Sequence, residues 1–400
     1  MELIYLLIVF AVLITLIVLK RPLWQAALGA SVVLILLYRV PLLDAGGEFL
    51  HVVTKWSNFQ TLLALFFLFM FQLMLTKRDQ IRLAEKDLDG IFHNNRIGLI
   101  FSSIFIGLLP SVASMNLAAE LIDETAGDKL ENSEKASMAS WYRHIPESSL
   151  PTYASVMLMT SLAGISNGSF MLGMIVPVIT LCLLGMLYLR KVPRDPGTPK
   201  SENRWKDVLH LIQHLWAFIA LLFLIFTFNM DVVFAAIIVI FLCFFVYRYK
   251  FSDLPALAKE AFQFKTIFNS AMILALKNLI SYTGVLGTLP DYFKKLPVPT
   301  WLVFAALFFF GSLISGTQGI VAMAVPLAVA TIPDGGTPLM ILAMCMCHAA
   351  AQISPVHVCI AVATEYFHTN YPTMVKKTMP MVAAFVVLMI AYYLILSAIF

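Results

Sequence analysis

Long apolar runs recur along the chain, separated by short polar stretches. Leu3–Leu19, Leu62–Leu75, Leu215–Phe228 and Met381–Phe400 carry no charged side chain. Crossing ~30 Å of hydrocarbon at 1.5 Å per residue takes roughly 20 apolar residues, so the pattern predicts about ten crossings, continuous or interrupted. Continuous spans are expected at about 2–19, 24–42, 57–75, 170–189, 208–228, 231–248, 266–288 and 379–400. A polar stretch at 77–96 and a polar helix at about 130–141 lie between spans of the first half.

Four further apolar segments are interrupted by helix breakers and polar side chains. Leu109-Pro110-Ser111 divides 98–124, and Pro146 and Pro151 divide 141–164. Ser315-Gly316-Thr317-Gln318-Gly319 divides 307–330, and Ser354-Pro355-Val356-His357 divides the apolar run around 339–367. The breaks recur at a spacing of 204, Ser111 with Ser315 and Pro151 with Pro355. Matched discontinuous segments in two halves are the sequence pointer to a transporter site. The expected fold is an all-α polytopic membrane protein of two inverted-topology repeats. Each repeat has scaffold helices, a re-entrant hairpin and a broken transmembrane helix. The first occupies 1–190, with its hairpin at about 98–124 and broken helix at about 141–164. A linker at 191–207 follows, and the second repeat occupies 208–400, with its hairpin at about 307–330 and broken helix at about 339–367.

Charge supports the inverted arrangement. If neither hairpin crosses, each half crosses five times and the second half enters from the opposite side. Of the 27 lysines and arginines, 21 then fall on one face and 4 on the other, with Arg143 and Lys277 inside the membrane. Basic loops stay cytoplasmic, so the 191–207 linker is expected inside and both termini outside. The chain is 60% hydrophobic and 12% charged, which leaves no sizeable soluble domain. Its net charge of +4 sits in short loops and reads as a topology signal, with no nucleic-acid partner expected. The five cysteines all lie in apolar runs and form no disulfide framework. Phosphate-loop, His-Glu-x-x-His and nucleophile-elbow motifs are absent.

Broken helices free backbone groups at membrane depth, where they are tolerated only if buried or lining an aqueous cavity. Half-helix N-termini then offer N–H donors to anions. Candidates for binding a small anion are Ser111, Ser114 and Asn116 at the first tip, and Ser315, Thr317 and Gln318 at the second. Arg143, Ser148, Lys277, Ser354 and His357 join them, because intramembrane ionisable groups default to function. His144, Glu147 and Glu365 are candidates for a coupling ion, H⁺ or Na⁺. No catalytic residue, metal ligand or organic cofactor is expected.

The stretches "WYRHIPESSLPTY", "GSLISGTQG" and above all "ISPVHVCIAVATEYF" resemble an uncharacterised family of prokaryotic integral membrane proteins. That family is placed in the ion transporter superfamily, related to gluconate permeases, four-carbon dicarboxylate carriers and divalent-anion or citrate symporters. The resemblance covers most of the chain. It implies organic-anion transport, often coupled to sodium or protons, by an elevator motion of a homodimer in the lipid bilayer. The first tip, Ser111-Val112-Ala113-Ser114, lacks the glycine of that group, and the asparagine-threonine tips of sodium–dicarboxylate carriers are absent. The expected function is secondary active transport of a small organic or inorganic anion by symport. Two alternatives stay open: a membrane-embedded enzyme or lipid-handling protein using His144, Glu147 and His357, and a non-transporting partner subunit.

Overall fold

The computed structural model describes residues 2–19, 21–108, 113–195, 203–228, 230–285, 297–355 and 357–399. Every regular element among them is helical. The first half contains α1 (Glu2–Val18), α2 (Leu23–Tyr38), α3 (Leu42–Thr54), α4 (Trp56–Lys77), α5 (Gln80–Phe92), α6 (Asn95–Gly107), α7 (Ala113–Ala126), α8 (Asn132–Arg143), α9 (Ile145–Ser149), α10 (Ala154–Ala163), α11 (Asn167–Gly173) and α12 (Ile175–Leu189). The second contains α13 (Arg204–Thr227), α14 (Val232–Val246), α15 (Leu254–Ala261), α16 (Phe264–Tyr282), α17 (Thr300–Thr331), α18 (Gly336–Ala351), α19 (Val358–Tyr366) and α20 (Tyr371–Ile399). Asn94, Ser166, Asn203 and Asp231 accept bonds from the first-turn N–H groups of α6, α11, α13 and α14, so local sequence sets those starts.

Among the described residues, five helices are long and apolar enough to cross a membrane: Trp56–Lys77, Asn167–Leu189, Arg204–Thr227, Thr300–Thr331 and Tyr371–Ile399. This is the architecture of a helical membrane protein. Leu36, Leu183, Phe241 and Val387 are among many large apolar side chains on its surface, where hydrocarbon can cover them.

Thr300–Thr331 is two arms rather than one straight rod. Gly316 has φ 72° and ψ 166°, a backbone state that is essentially glycine's alone. A Cβ built on Gly311 would lie 3.4 Å from Cβ of Ile320. Nine residues of continuous helix would hold those positions roughly 13 Å apart, so the chain folds back at Gly316. Ser354 Oγ donates to the Leu313 carbonyl (2.9 Å) and Ser312 Oγ to the Cys347 carbonyl (3.4 Å), tying the first arm to α18 and the turn after it.

The elements repeat in register. α8, α10 and α11 begin at Asn132, Ala154 and Asn167; α18, α19 and α20 begin at Gly336, Val358 and Tyr371 (336 − 132, 358 − 154 and 371 − 167, each 204). Gly107, at the end of α6, and Gly311, in the first arm of α17, stand in the same relation. A Cβ on Gly107 would collide with the Arg143 carbonyl, so this glycine permits close approach of α6 to α8.

Three helices were not expected from the apolar pattern: α3, α5 within the polar 77–96 stretch, and α15. The first broken unit also begins earlier than 141. Its leading half is α8, which contains the expected polar helix yet is buried throughout Ser133–Arg143. Several of its polar groups are matched. Glu134, 1% exposed, receives Lys191 (2.7 Å) and Lys377 (3.2 Å); Lys135 meets Asp123 (2.6 Å); Ser137 meets Thr378 (2.8 Å); Trp141 Nε1 donates to the Leu181 carbonyl (2.9 Å). Such pairs let a polar helix occupy the centre of a bundle. The linker stretch 196–202 lies outside the described residues.

Gly316→Ala is expected to lose about 1–3 kcal/mol, because alanine in this backbone state is strained. Gly46→Ala, with open space around the site and an ordinary helical backbone, should be near neutral. Unfolding of both variants in detergent, compared with the parent chain, checks the difference.

Candidate functional site

The breaks converge. α8 ends at Arg143, His144 forms the bend, and Pro146 sits in the first turn of α9, where its missing N–H is harmless. Leu150 is extended before α10 begins. In the second half α18 stops at Ala351, and His357 is extended as the residue before α19. α19 packs on α7 and α8, while α10 packs on α17 and α18. Each broken helix thus meets parts of the other half.

Arg143 is the hub. It is 3% exposed, and its Nε donates to Ser114 Oγ (2.9 Å) at the start of α7. Its Nη1 donates to Glu147 Oε2 (3.2 Å) and approaches Cys359 Sγ (3.5 Å). The guanidinium therefore holds one acceptor from the start of α7, one from the first break and one from the helix after the second break. Tyr153 OH donates to the Gly107 carbonyl and closes the other side of the first break.

Two histidines lie beside it. His144 Nε2 and His357 Nε2 are 2.8 Å apart, and Glu147 Oε2 is 3.7 Å from His144 Nε2. His144 Nδ1 lies 2.5 Å from the Ser140 carbonyl, which can only accept, so Nδ1 carries the proton. Neutral His144 then offers its Nε2 lone pair to His357. A second chain crosses between halves: Ser140 Oγ donates to Gln352 Oε1 (3.1 Å), Gln352 Nε2 faces His348 Nε2 (3.2 Å), and His348 Nδ1 faces Ser148 Oγ (2.9 Å). The amide can only donate to His348, so His348 is a neutral Nδ1–H tautomer donating to Ser148.

A cavity of about 600 Å³ opens beside the breaks. Its wall includes Ser315, Gly316, Thr317 and Gln318 at the turn of α17, Ala154 and Ser155 at the start of α10, and Ser354 and His357 before α19. Three helix N-termini thus face one space. Arg21 and Lys265 also line it, against the single carboxylate of Glu147. A smaller cavity of about 240 Å³ shares Glu147, Tyr153, Gln318 and His357 with it, and adds Arg143, Thr152 and Cys359.

A protein-family profile described as "Protein of unknown function (DUF401)" matches residues 3–396. The chain belongs to that family. A search of curated proteins returned no match.

In this DUF401 chain Ser114, Arg143, His144, Glu147, Ser148, Ser315, Thr317, Gln318, Ser354 and His357 gather around the breaks or the cavity walls. Three expected residues stand apart. Asn116 is exposed on α7, and Glu365 is exposed near the end of α19. Lys277 is half-buried on α16, which packs on α2, α3 and α4, and it lines neither cavity. Ser111 lies outside the described residues. Sequence reasoning did not select Cys359, His348, Gln352, Ser140, Arg21 or Lys265. The repeat spacing carries a signal for two of them, since it relates His144 to His348 and Ser148 to Gln352.

Removing one member of a buried ion pair leaves the other uncompensated. Glu147→Leu should lose roughly 3 kcal/mol, the low end for buried pairs, because Glu147 is 29% exposed. Arg143→Met with Glu147→Leu should lose less than the Glu147 single variant. A double-mutant cycle of unfolding free energies in detergent checks the coupling.

Proposed function

We propose that this protein is a secondary active transporter of a small, carboxylate-like or inorganic anion. The convergence of three helix N-termini on one cavity carries the reading. The start of α10, the N-cap residue of α19 and the second arm of α17 all contribute to its wall. Helix N-termini present unpaired N–H donors and a positive dipole end, a natural anion seat. Arg21 and Lys265 add charge of the same sign. The register of 204 supports two repeats, and the split of 21 to 4 lysines and arginines supports their inversion. On this reading α6–α7 and the folded α17 are re-entrant hairpins, and α8–α10 and α18–α19 are broken transmembrane helices. The 191–207 linker is cytoplasmic and both termini are external, in a prokaryotic cytoplasmic membrane. The working unit is a homodimer, and transport is coupled to H⁺ or Na⁺.

One observation favours a second reading, a membrane-embedded enzyme or lipid-handling protein: His144, Glu147 and His357 do meet. Transport is preferred because a single catalytic cluster has no need of two breaks in register, both contributing to one cavity.

Binding is tested first. Purified protein should be stabilised against heat by members of a panel of carboxylates and inorganic anions, screened with and without Na⁺. Arg21→Ala and Lys265→Ala should each weaken the responding anion about 10- to 150-fold, the loss of one charge-assisted hydrogen bond of ~1.5–3 kcal/mol. Proteoliposomes should accumulate that anion when an H⁺ or Na⁺ gradient is imposed. A folded protein that no anion stabilises, and whose vesicles take up none, overturns the reading.

Topology has its own check. Lys206 is exposed at the start of α13. A lone cysteine at that position, Lys206→Cys in a chain with its five cysteines replaced, should resist an impermeant thiol reagent in intact cells and react after lysis. Labelling in intact cells would reject the inverted arrangement.

A further inference from the structure

The geometry points to a binding site for one divalent transition-metal ion of the zinc class, formed by His144, Glu147, His357 and Cys359. This goes beyond the transport reading and does not depend on it. Among the described residues, the donor atoms of His144, His357 and Cys359 all lie within 4.8 Å of one another. Glu147 Oε2, 3.7 Å from His144 Nε2, supplies a fourth donor. Two imidazole nitrogens, a thiol and a carboxylate are the donor types that zinc-class ions take in four-coordinate sites.

Orientation is already prepared at His144. Its Nδ1–H is fixed on the Ser140 carbonyl, which turns the Nε2 lone pair into the cluster. Metal-ligating histidines characteristically carry such a bond on the other ring nitrogen. The two Nε2 atoms stand 2.8 Å apart. Around a tetrahedral ion with metal–nitrogen bonds of ~2.05 Å they would stand ~3.3 Å apart, so the rings must open by about half an ångström and Cys359 Sγ must draw in. His357 moves its proton to Nδ1 to free Nε2, and Cys359 releases its thiol proton to solvent. No electrons are exchanged.

The charges close sensibly. Arg143 Nη1 already faces both Glu147 Oε2 and Cys359 Sγ. Ion, guanidinium, thiolate and carboxylate then sum to one positive charge. Glu147, His357 and Cys359 all line the smaller cavity, so the ion is reachable from it and an anion there can offset that charge. Two donors come from each broken helix, so the bound ion would clamp the two breaks together.

The test uses the full-length protein in detergent, stripped with chelator and reloaded with Zn²⁺ or Co²⁺. Wild type should retain about one Zn²⁺ per chain after desalting, and the Co²⁺ form should show a thiolate-to-metal absorption band. Cys359→Ser should abolish that band, and both Cys359→Ser and His357→Ala should weaken Zn²⁺ binding at least ~10-fold, the smallest loss seen even for outer-shell partners. Unfolding of the metal-free variants monitors the fold separately. Three results overturn the proposal: substoichiometric Zn²⁺ in folded wild type, no thiolate band with Co²⁺, or wild-type affinity in folded Cys359→Ser. Failure of anion uptake would leave the metal result standing, and the reverse also holds.

Discussion

A guanidinium enclosed in an apolar bundle must find all its partners in protein, because neither hydrocarbon nor bulk water can serve it. Arg143 meets this constraint by drawing Ser114, Glu147 and Cys359 to one point. Those residues come from three separate segments, and their positions are fixed relative to one another by the donors of one side chain. Gly107 contributes by letting α6 sit against the Arg143 backbone. The polar surface of α8 extends the same logic, with Glu134, Lys135 and Ser137 each matched by a neighbouring helix. The breaks are therefore held from both sides by satisfied polar groups.

The spacing of 204 relates elements of the two halves, yet the side chains it pairs differ. His144 and His348 occupy equivalent positions, yet their surroundings differ. His348 is locked between Gln352 and Ser148 and packs edge-on against Trp141 and Phe385. His144 instead turns its free nitrogen toward His357 and Glu147. Arg143 corresponds to Cys347, and Glu147 to Ala351, so the charged pair belongs to the first half alone.

Much of the frame was legible because its physics is local. Apolar run lengths predicted most of the continuous helices closely, although the last begins at Tyr371, well before the expected 379, and α16 ends at Tyr282, short of the expected 288; Pro and Gly marked the interruptions. Gly316 was readable as a turn because only glycine occupies that backbone state cheaply. What escaped depended on partners distant in sequence. α8 reads as a surface helix until Lys191, Lys377, Asp123 and Thr378 are brought to it. Lys277 drew attention as a charge within an apolar run, yet it lines neither cavity, whereas Lys265 and Asn269 of the same helix line the larger one. Cys359 fits no local metal-binding motif, and only folding sets it beside His144, more than 200 residues earlier in the sequence.

The large cavity joins the two ends of synthesis. Its wall uses Ile17, Arg21 and Leu23 from the first hundred residues and the α17 turn and Ser354 from the last. Trp24 N–H, an orphan donor in the first turn of α2, is capped by Asn269 Oδ1 on α16 (2.9 Å), 245 residues later. Contacts so far apart in sequence form only after the intervening chain has emerged. During insertion, the first turn of α2 therefore lacks this partner until α16 has emerged, so closure of the cavity wall is a late event in assembly.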